Sequence, residues 1–263
     1  MSVVIFCGGK GTRLKEETEF KPKPLVTVGG VPILHHIMNI YAHFGYKKFV
    51  LCLGYRGNAI KDYFLNYKLF STDFSLKDGK VKYLKSGNKS DDFDITFVDT
   101  GEDTLTGERL MMVKEYIDDD FMLTYGDAVA KIDIEKLVEL HGKNGLTGTV
   151  TGVHPTSKFG LLAVNDKQVV TSFYQKPLLH DYVNGGFMVF KSKFFDYLKP
   201  NQMIEDAMKD LVEDEQMAMY KHDGFWHCMD TYKDYEDLNV LHANGAPWVF
   251  DGSHIAVEHY VGL

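Results

Sequence analysis

The 263-residue chain is short of cysteine and tryptophan, with three and two, and carries only seven prolines. The cysteines, Cys7, Cys52 and Cys228, are odd in number and show no CxxC spacing. That argues against a disulfide framework or a thiolate zinc site and fits a reducing, cytoplasmic compartment. Cys7 and Cys52 fall inside apolar runs and read as small core residues. No apolar run approaches the roughly 20 residues that span a bilayer. No secretory leader is expected either, because glycine and charge begin at residue 8. Positive charge is also scarce: 29 Lys and Arg against 37 Asp and Glu leave a formal charge of −8. General attraction to nucleic acid or an anionic membrane is therefore not expected. Any anion site has to be a local gathering of cations against that background.

What is present suits a globular domain. Apolar residues make up 44% and charged residues 25%, and the length supplies ample material for a core. Through the first half, strand-like and helix-like segments alternate. Val3–Phe6, Phe49–Leu53, Ile95–Val98 and Phe121–Tyr125 read as strands. Helices are expected from Pro32 to Gly45, over Ala59–Tyr67, from a Thr106 cap to Tyr116, and after an Asp133 cap. This alternation implies βαβ units and an α/β fold with a mostly parallel sheet. The second half is richer in strands, over Thr147–Val153, Leu161–Val164, Val169–Phe173, Phe187–Phe190, Met217–Tyr220 and Phe225–Met229. Helices near Ser192–Leu198, Met203–Val212 and Thr231–Ala243 complete it. Residues 1–250 read as one domain, with 70–94 as a polar lid or interface excursion and 251–263 as a tail. His35 and His36 are adjacent on a helix, so they face different directions and read as surface and neighbour contacts rather than metal ligands. The aromatic segments read as core rather than a base-stacking platform.

One stretch breaks the pattern. Residues 6–24, FCGGKGTRLKEETEFKPKP, follow the first strand and exchange side-chain packing for bare backbone and positive charge. Glycine lets backbone N–H groups approach phosphate oxygens, and a nest of such groups holds negative charge. Arg13 adds a fork-shaped cation suited to phosphate. The spacings GxxxxGK[ST] and GxGxxG are both absent, so neither a P-loop nor a dinucleotide fingerprint is present. In Lys21-Pro22-Lys23-Pro24 the prolines stiffen the backbone and present Lys23 with little freedom to lose.

The pattern G-G-x-G-T-R-L followed by K-P-K-P resembles the signature of the sugar-1-phosphate nucleotidylyltransferases. Val98–Gly101 with Thr106–Leu110, Tyr125-Gly126-Asp127, Phe159–Leu162, Val183–Phe187, Gly224–Trp226 and Met229–Thr231 are similar, in order and spacing, to the glucose-1-phosphate cytidylyltransferases in particular. The resemblance runs to about Phe250. It implies a Rossmann-like nucleotide-diphospho-sugar transferase fold, a mixed, mostly parallel sheet flanked by helices. It also implies Mg²⁺-dependent transfer of a cytidylyl group from CTP to a phosphorylated acceptor, with release of pyrophosphate. Both reactants are anions, and two unit charges about 4 Å apart repel by roughly 4 kcal/mol at an effective dielectric near 20. Catalysis then consists mainly of charge neutralisation and alignment.

Under this resemblance, Gly8, Gly9, Gly11, Thr12 and Arg13 hold the departing phosphates, and Lys23 sits at the α-phosphate. Asp127 and Asp230, each ending a strand, are paired as Mg²⁺ ligands. Thr100, Gly101 and Gly107 belong to the loop that reads the base. Lys176 holds the acceptor phosphate, Asn184 and Gly185 contact the sugar, and Glu205 falls near the acceptor or on a solvated face. Relatives are often homo-oligomers. One residue departs from the family: Gln175-Lys176-Pro177 stands where relatives commonly have Glu-Lys-Pro. An amide offers one acceptor and two donors where a carboxylate only accepts. Glucose 1-phosphate is the first acceptor to consider; another sugar phosphate, or an amino-acid or amide phosphate, is the alternative. Two further readings stay open. Asp118-Asp119-Asp120 is either a polar turn or the DxD metal motif of a glycosyltransferase of similar fold. A non-catalytic nucleotide-binding subunit is the second, although it has no need of both metal carboxylates.

Overall fold

Ser2–Cys7 is apolar almost without interruption, which suits a strand covered on both faces. In the computed structural model, which describes residues 1–84 and 92–250, this run is strand β1 (Ser2–Cys7), buried along its whole length. A 3₁₀ turn (Thr12–Leu14), α1 (Lys15–Thr18) and a second 3₁₀ turn (Lys23–Leu25) follow. Next come the short antiparallel pair β2 (Thr27–Val28) and β3 (Val31–Pro32), α2 (Ile33–His43), β4 (Lys48–Leu53) and α3 (Gly57–Phe70). A hairpin of β5 (Phe74–Lys77) and β6 (Lys80–Tyr83) precedes β7 (Asp94–Asp99), α4 (Thr106–Met112), β8 (Asp120–Tyr125), β9 (Ala128–Ala130) and α5 (Ile134–Asn144). The second half comprises β10 (Gly148–Val153), β11 (Leu161–Val164), β12 (Val170–Tyr174), β13 (Val183–Lys191), α6 (Ile204–Glu213), β14 (Met217–His222), β15 (Trp226–Cys228) and α7 (Tyr232–Ala243).

Seven strands form one sheet in the order β14-β10-β13-β8-β1-β4-β7. All neighbours pair parallel except β13, which runs antiparallel to both β10 and β8. The sheet is thus mixed and mostly parallel, as expected. Side chains alternate across each strand. Val3, Ile5 and Cys7 enter the core shared with α2, α3, α5 and α7, whereas Val4 and Phe6 enter the core shared with α4 and α6. Each fully buried Val, Leu, Ile or Phe contributes about 1.5–3 kcal/mol relative to exposure. Because β1, β4, β7 and β8 are parallel, their carboxyl ends share one edge. The glycine loop, Gly54, the 99–101 loop and Asp127 all leave the sheet there.

Several expectations change in detail. Thr106 opens α4 but does not cap it; its hydroxyl accepts from the backbone N–H of Ile204 at 2.9 Å and so serves the first turn of α6. The helix expected to reach Tyr116 ends at Met112 and continues as a 3₁₀ turn, and Ser192–Tyr197 is 3₁₀ as well. Strand β9 and the β2–β3 and β5–β6 pairs had no expectation, because runs of two to four residues carry little periodicity to read. The excursion at 70–94 contains the β5–β6 hairpin, with residues 85–91 and the whole tail 251–263 outside the described residues. Among the described residues no helix is long and apolar enough to cross a membrane.

The adjacent histidines are buried, contrary to the surface reading, because α2 is enclosed nearly all round. They do diverge: His35 Nδ1 meets the Tyr63 hydroxyl at 2.7 Å, while His36 Nε2 meets the Val28 carbonyl at 2.9 Å. Trp248 Nε1 donates to His36 Nδ1 at 3.2 Å, so His36 donates through Nε2 and ties α2 to β2 and to Trp248. Burial drives the His36 pKa from 6.5 down to about 3. The unfolded chain therefore takes up a proton as pH falls below about 6.5, while the folded chain does not, and stability is lost in that direction. His36→Gln keeps a donor and an acceptor without titrating. It is expected to remove about 1–2 kcal/mol of the stability lost between about pH 7 and about pH 5, measured by urea unfolding at both values.

Candidate active site

Two carboxylates 103 positions apart are brought to one ammonium. Asp127 follows β8 and Gly126; Asp230 follows β15 and Met229. Strands β9 and β15 pair antiparallel, with Cys228 opposite Ala128, and Met229 N–H donates to the Asp127 carbonyl at 2.8 Å. The two segments are therefore tied by backbone. Lys23 Nζ donates to Asp127 Oδ2 at 2.8 Å and to Asp230 Oδ1 at 3.2 Å. Arg13 Nη1 donates to Asp230 Oδ2 at 2.7 Å. Lys158 Nζ lies 4.0 Å from the same oxygen.

Local sequence sets each of these groups. Pro22 is extended (φ −68°, ψ 147°), and Lys23 opens a 3₁₀ turn closed by Leu25 N–H to Pro22 and Val26 N–H to Lys23. Pro24 is buried, and the Lys23 side chain is only 12% exposed. Arg13, by contrast, is 76% exposed and can turn toward a ligand. Asp230 precedes the Thr231–Asp234 capping box of α7, and its N–H donates to Asp234 Oδ2 at 3.1 Å. Burial pushes the Asp230 carboxyl up, but the Arg13 hydrogen bond and the Lys23 charge outweigh it and hold the group below its ordinary value. Burial likewise pulls the Lys23 ammonium down, and Asp127 and Asp230 more than reverse that.

The glycine loop is closed from below. Gly11 is left-handed (φ 62°), a conformation glycine adopts at little cost, and an added Cβ there would meet Thr18 at 2.9 Å. The Thr18 hydroxyl donates to the carbonyls of Gly11 and Leu14, and buried Leu14 anchors the turn that carries Thr12 and Arg13. A Cβ on Gly8 would fall 2.1 Å from the Arg109 guanidinium, whereas one on Gly9 would meet nothing within 4 Å. The loop thus presses on the protein at Gly8 and opens outward at Gly9. Lys10 leans away to Asp103 at 2.7 Å and Glu102 at 3.5 Å.

Arg109 organises this edge of the sheet. Its guanidinium is buried and donates to the carbonyls of Leu53, Gly101, Glu102 and Gly8 at 3.1, 2.7, 3.1 and 3.4 Å, and to the Thr100 hydroxyl at 2.7 Å. It thereby joins the ends of β1, β4 and β7. The motif 106–110 contained this arginine, yet nothing in the sequence showed which carbonyls it serves. Thr100 is fully buried with its hydroxyl committed to Leu53 and Arg109. Gly101 is left-handed (φ 85°), its N–H held by Asp99. Gly107 packs elsewhere: its N–H donates to the Gln202 carbonyl at 3.0 Å, which places it between α4 and the start of α6.

The residues expected to meet the acceptor lie on three segments. Gln175 and Lys176 follow β12 and are exposed, Lys176 with a left-handed backbone (φ 47°). Ser157 N–H donates to the Pro177 carbonyl and Leu179 N–H to that of Pro155, so this segment is joined to the one bearing Lys158. Asn184 and Gly185 lie on β13, where Asn184 Oδ1 accepts from Gly186 N–H and the Gly185 carbonyl accepts from Trp226 Nε1, both at 2.9 Å. Glu205 is not on a solvated face: its Oε1 accepts from the Tyr125 hydroxyl at 2.5 Å. Lys158 and Tyr125 had no assigned role from sequence, although Tyr125 opens the Tyr125-Gly126-Asp127 motif and Lys158 immediately precedes Phe159–Leu162. Asp118 pairs with Lys48 at 2.7 Å where β4 begins, at the opposite end of the strands from Asp127, so the Asp118–Asp120 run is not part of this site.

A divalent cation is the group this kind of site implies. Asp127 and Asp230 supply only oxygen, are about a quarter exposed, and already share one cation, the Lys23 ammonium. Among the described residues no group of three or more His, Cys, Asp or Glu forms a closed metal cage. Mg²⁺ suits such a donor set, since it binds through one or two carboxylates and takes its remaining oxygens from water and substrate phosphates.

A glycine-rich loop, paired cations and two carboxylates at the carboxyl edge of a mostly parallel sheet are the arrangement of a nucleotide-handling α/β enzyme. The nucleotidyl transferase family model matches residues 2–244, and the chain belongs to that family. It is 44% identical over 251 residues to the "Probable glucose-1-phosphate cytidylyltransferase" of Bacillus subtilis, covering 93% of this chain and 97% of that one. It is 39% identical over 254 residues to the glucose-1-phosphate cytidylyltransferase of Salmonella typhimurium, covering 94% and 98%. Among solved structures it is similar in fold to HddC from Yersinia pseudotuberculosis, with a TM-score of 0.66 at 21% identity, covering 91% of this chain and 98% of that one.

Replacing Arg109 by Met leaves several buried carbonyls without their donor. The expected loss is roughly 2–4 kcal/mol of unfolding free energy, measured by urea denaturation, with a larger effect than Lys10→Met at the exposed edge of the same loops.

Proposed function

We propose that the protein transfers a cytidylyl group from CTP to a phosphorylated acceptor, glucose 1-phosphate first, forming a CDP-linked product and pyrophosphate. The observation that carries this reading is the convergence of Arg13 and Lys23 on Asp127 and Asp230 beside the open glycine loop. The names of the Bacillus and Salmonella relatives support the choice of CTP and glucose 1-phosphate. Residues 1–250 act as one nucleotidyltransferase domain in this reading. Self-association fits the exposed apolar side chains of the hairpins, Leu76 and Val81 on one and Leu162 and Phe173 on the other.

The residues divide the work by charge. Backbone N–H groups of Gly8, Gly9 and Gly11, with Thr12 and Arg13, hold the β- and γ-phosphates. Arg13 is exposed enough to leave Asp230 for them. Lys23, held on a stiff turn, meets the α-phosphate and offsets the charge that develops as an acceptor oxygen attacks phosphorus in line. Asp127 and Asp230 would hold Mg²⁺, which when bound adds positive charge against the phosphate oxygens. Lys176 holds the acceptor phosphate, Asn184, Gly185 and Glu205 meet the remainder of the acceptor, and the loop at Gly101 lies against the base. Since Thr100 and Gly107 already use their polar groups internally, base contacts from that loop fall to neighbouring backbone.

Gln175 favours a second reading of the acceptor. An amide in place of the usual carboxylate matches hydroxyl donors less well, which admits a different sugar phosphate or an amino-acid or amide phosphate. The deciding experiment is a matrix of four nucleoside triphosphates against a panel of sugar and non-sugar phosphates, read by pyrophosphate release. CTP with glucose 1-phosphate is expected to give the highest kcat/KM. Release of a nucleoside diphosphate would instead indicate a glycosyltransferase, and tight CTP binding without turnover a non-catalytic subunit. In the same assay Lys23→Ala and Asp230→Ala are each expected to lower turnover at least about a hundredfold, with folding checked by circular dichroism. Near-normal rates would remove the role assigned to that residue.

A further inference from the structure

Glu205 presents an imbalance that the fold alone does not resolve. It stands in the first turn of α6, and its two carboxylate oxygens fare differently. Oε1 accepts from the Tyr125 hydroxyl at 2.5 Å; Oε2 is buried with no hydrogen-bond partner. A buried oxygen left unmet is costly, and such groups are rare in native proteins unless another molecule completes them. The position suggests which molecule. Tyr125 lies two residues before Asp127 at the end of β8, so Glu205 is joined through one hydroxyl to the strand that delivers a metal carboxylate. The Asn184 side chain lies near the same hydroxyl, close enough to oppose slightly the rise in its pKa. Gly186, left-handed at φ 82°, lets the Tyr125 ring lie against the β13 backbone, where a Cβ would meet its Cδ2 at 2.8 Å. Phe6 closes another side, with ring centroids 6.0 Å apart. Tyr125 thus links β8, β13 and α6 at one point, and its hydroxyl already donates to Glu205.

We propose that Tyr125 is a specificity-determining positioning residue: it holds Glu205 beside Asn184 so that the unpartnered carboxylate oxygen accepts a hydrogen bond from a hydroxyl of the phosphorylated acceptor. The consequence is selection of a sugar phosphate over a phosphate that lacks hydroxyls. This rests on the reading of the protein as a cytidylyltransferase with a phosphate acceptor, and it narrows the acceptor class that Gln175 leaves open. A carboxylate supplied by α6 takes over the acceptor role that an amide at position 175 fills only in part. A site built to bond a hydroxyl rejects the analogue without it far more strongly than an apolar pocket rejects a missing methylene.

The experiment uses the full chain with CTP, glucose 1-phosphate and its four monodeoxy analogues, read by pyrophosphate release. The wild-type protein is expected to discriminate at least about tenfold in kcat/KM against one analogue. Tyr125→Phe keeps the ring and its packing. It is expected to raise the KM for glucose 1-phosphate about tenfold, leave the KM for CTP within about twofold, and shrink that discrimination to below about threefold. Glu205→Gln is expected to lose the same discrimination. A merely structural bond would lower the melting temperature of Tyr125→Phe and leave the ranking of analogues intact; that result overturns the proposal. So does a parallel rise in both KM values, or a wild-type protein that prefers a phosphate without hydroxyls. Absence of pyrophosphate release by the wild-type protein with any acceptor sinks the cytidylyl-transfer reading itself, and the role of Tyr125 with it.

Discussion

The constraint on which the site depends is the confinement of Asp127 and Asp230 around one ammonium. Two carboxylates repel, and a lysine that is 12% exposed is expensive to ionise. The chain satisfies both at once: each carboxylate is the counter-ion that keeps Lys23 charged, and Lys23 is the cation that lets the carboxylates approach. With Arg13 and Lys158 also near Asp230, cations outnumber carboxylates by one in a chain of net charge −8. The balance of charge at this point is thus opposite to that of the whole chain. Lys23 in particular is fixed between its two carboxylates without any ligand, as preorganised charge requires.

Backbone geometry supplies that confinement. Parallel pairing of β1, β4, β7 and β8 brings their carboxyl ends to one edge, and the β9–β15 pair carries the late strand back to it. Arg109 then locks the loops at that edge to one another through their carbonyls. It is spent on the protein's own backbone, while Arg13, on the exposed side of the glycine loop, meets only the Asp230 carboxylate by side chain among the described residues. Two arginines at one edge are therefore held differently, as their burial dictates.

Polar side chains at element ends show the same division. Thr106, Thr18 and Thr231 each satisfy backbone groups of a neighbouring or own helix, so their hydroxyls hold the frame rather than the site. Tyr125 differs. It bonds a carboxylate that still has an unmet oxygen, and it lies at the end of β8, with its ring against β13. Lys158 is joined by a backbone pairing to the segment after Lys176, so the two lysines share one support although 18 positions separate them.

The sequence by itself determined the alternation of strand and helix, the glycine loop and the stiff Lys-Pro turn; family resemblance led to the expectation that Arg13, Lys23, Asp127 and Asp230 lie together, and the structure brings these side chains into contact. These are legible because hydrophobic period, proline and glycine act over a few residues, and because the motifs keep their order along the chain. Only the tertiary structure decided that His35 and His36 are buried, that Thr106 serves α6, that Gly107 packs against Gln202, that Arg109 binds loop carbonyls, that Tyr125 meets Glu205 and that Lys158 approaches Asp230. Each of those outcomes depends on which carbonyl or carboxylate, often 50 to 100 positions away, stands within about 3 Å of a polar atom. No local pattern carries that distance; it follows from the order in which seven strands close into one sheet.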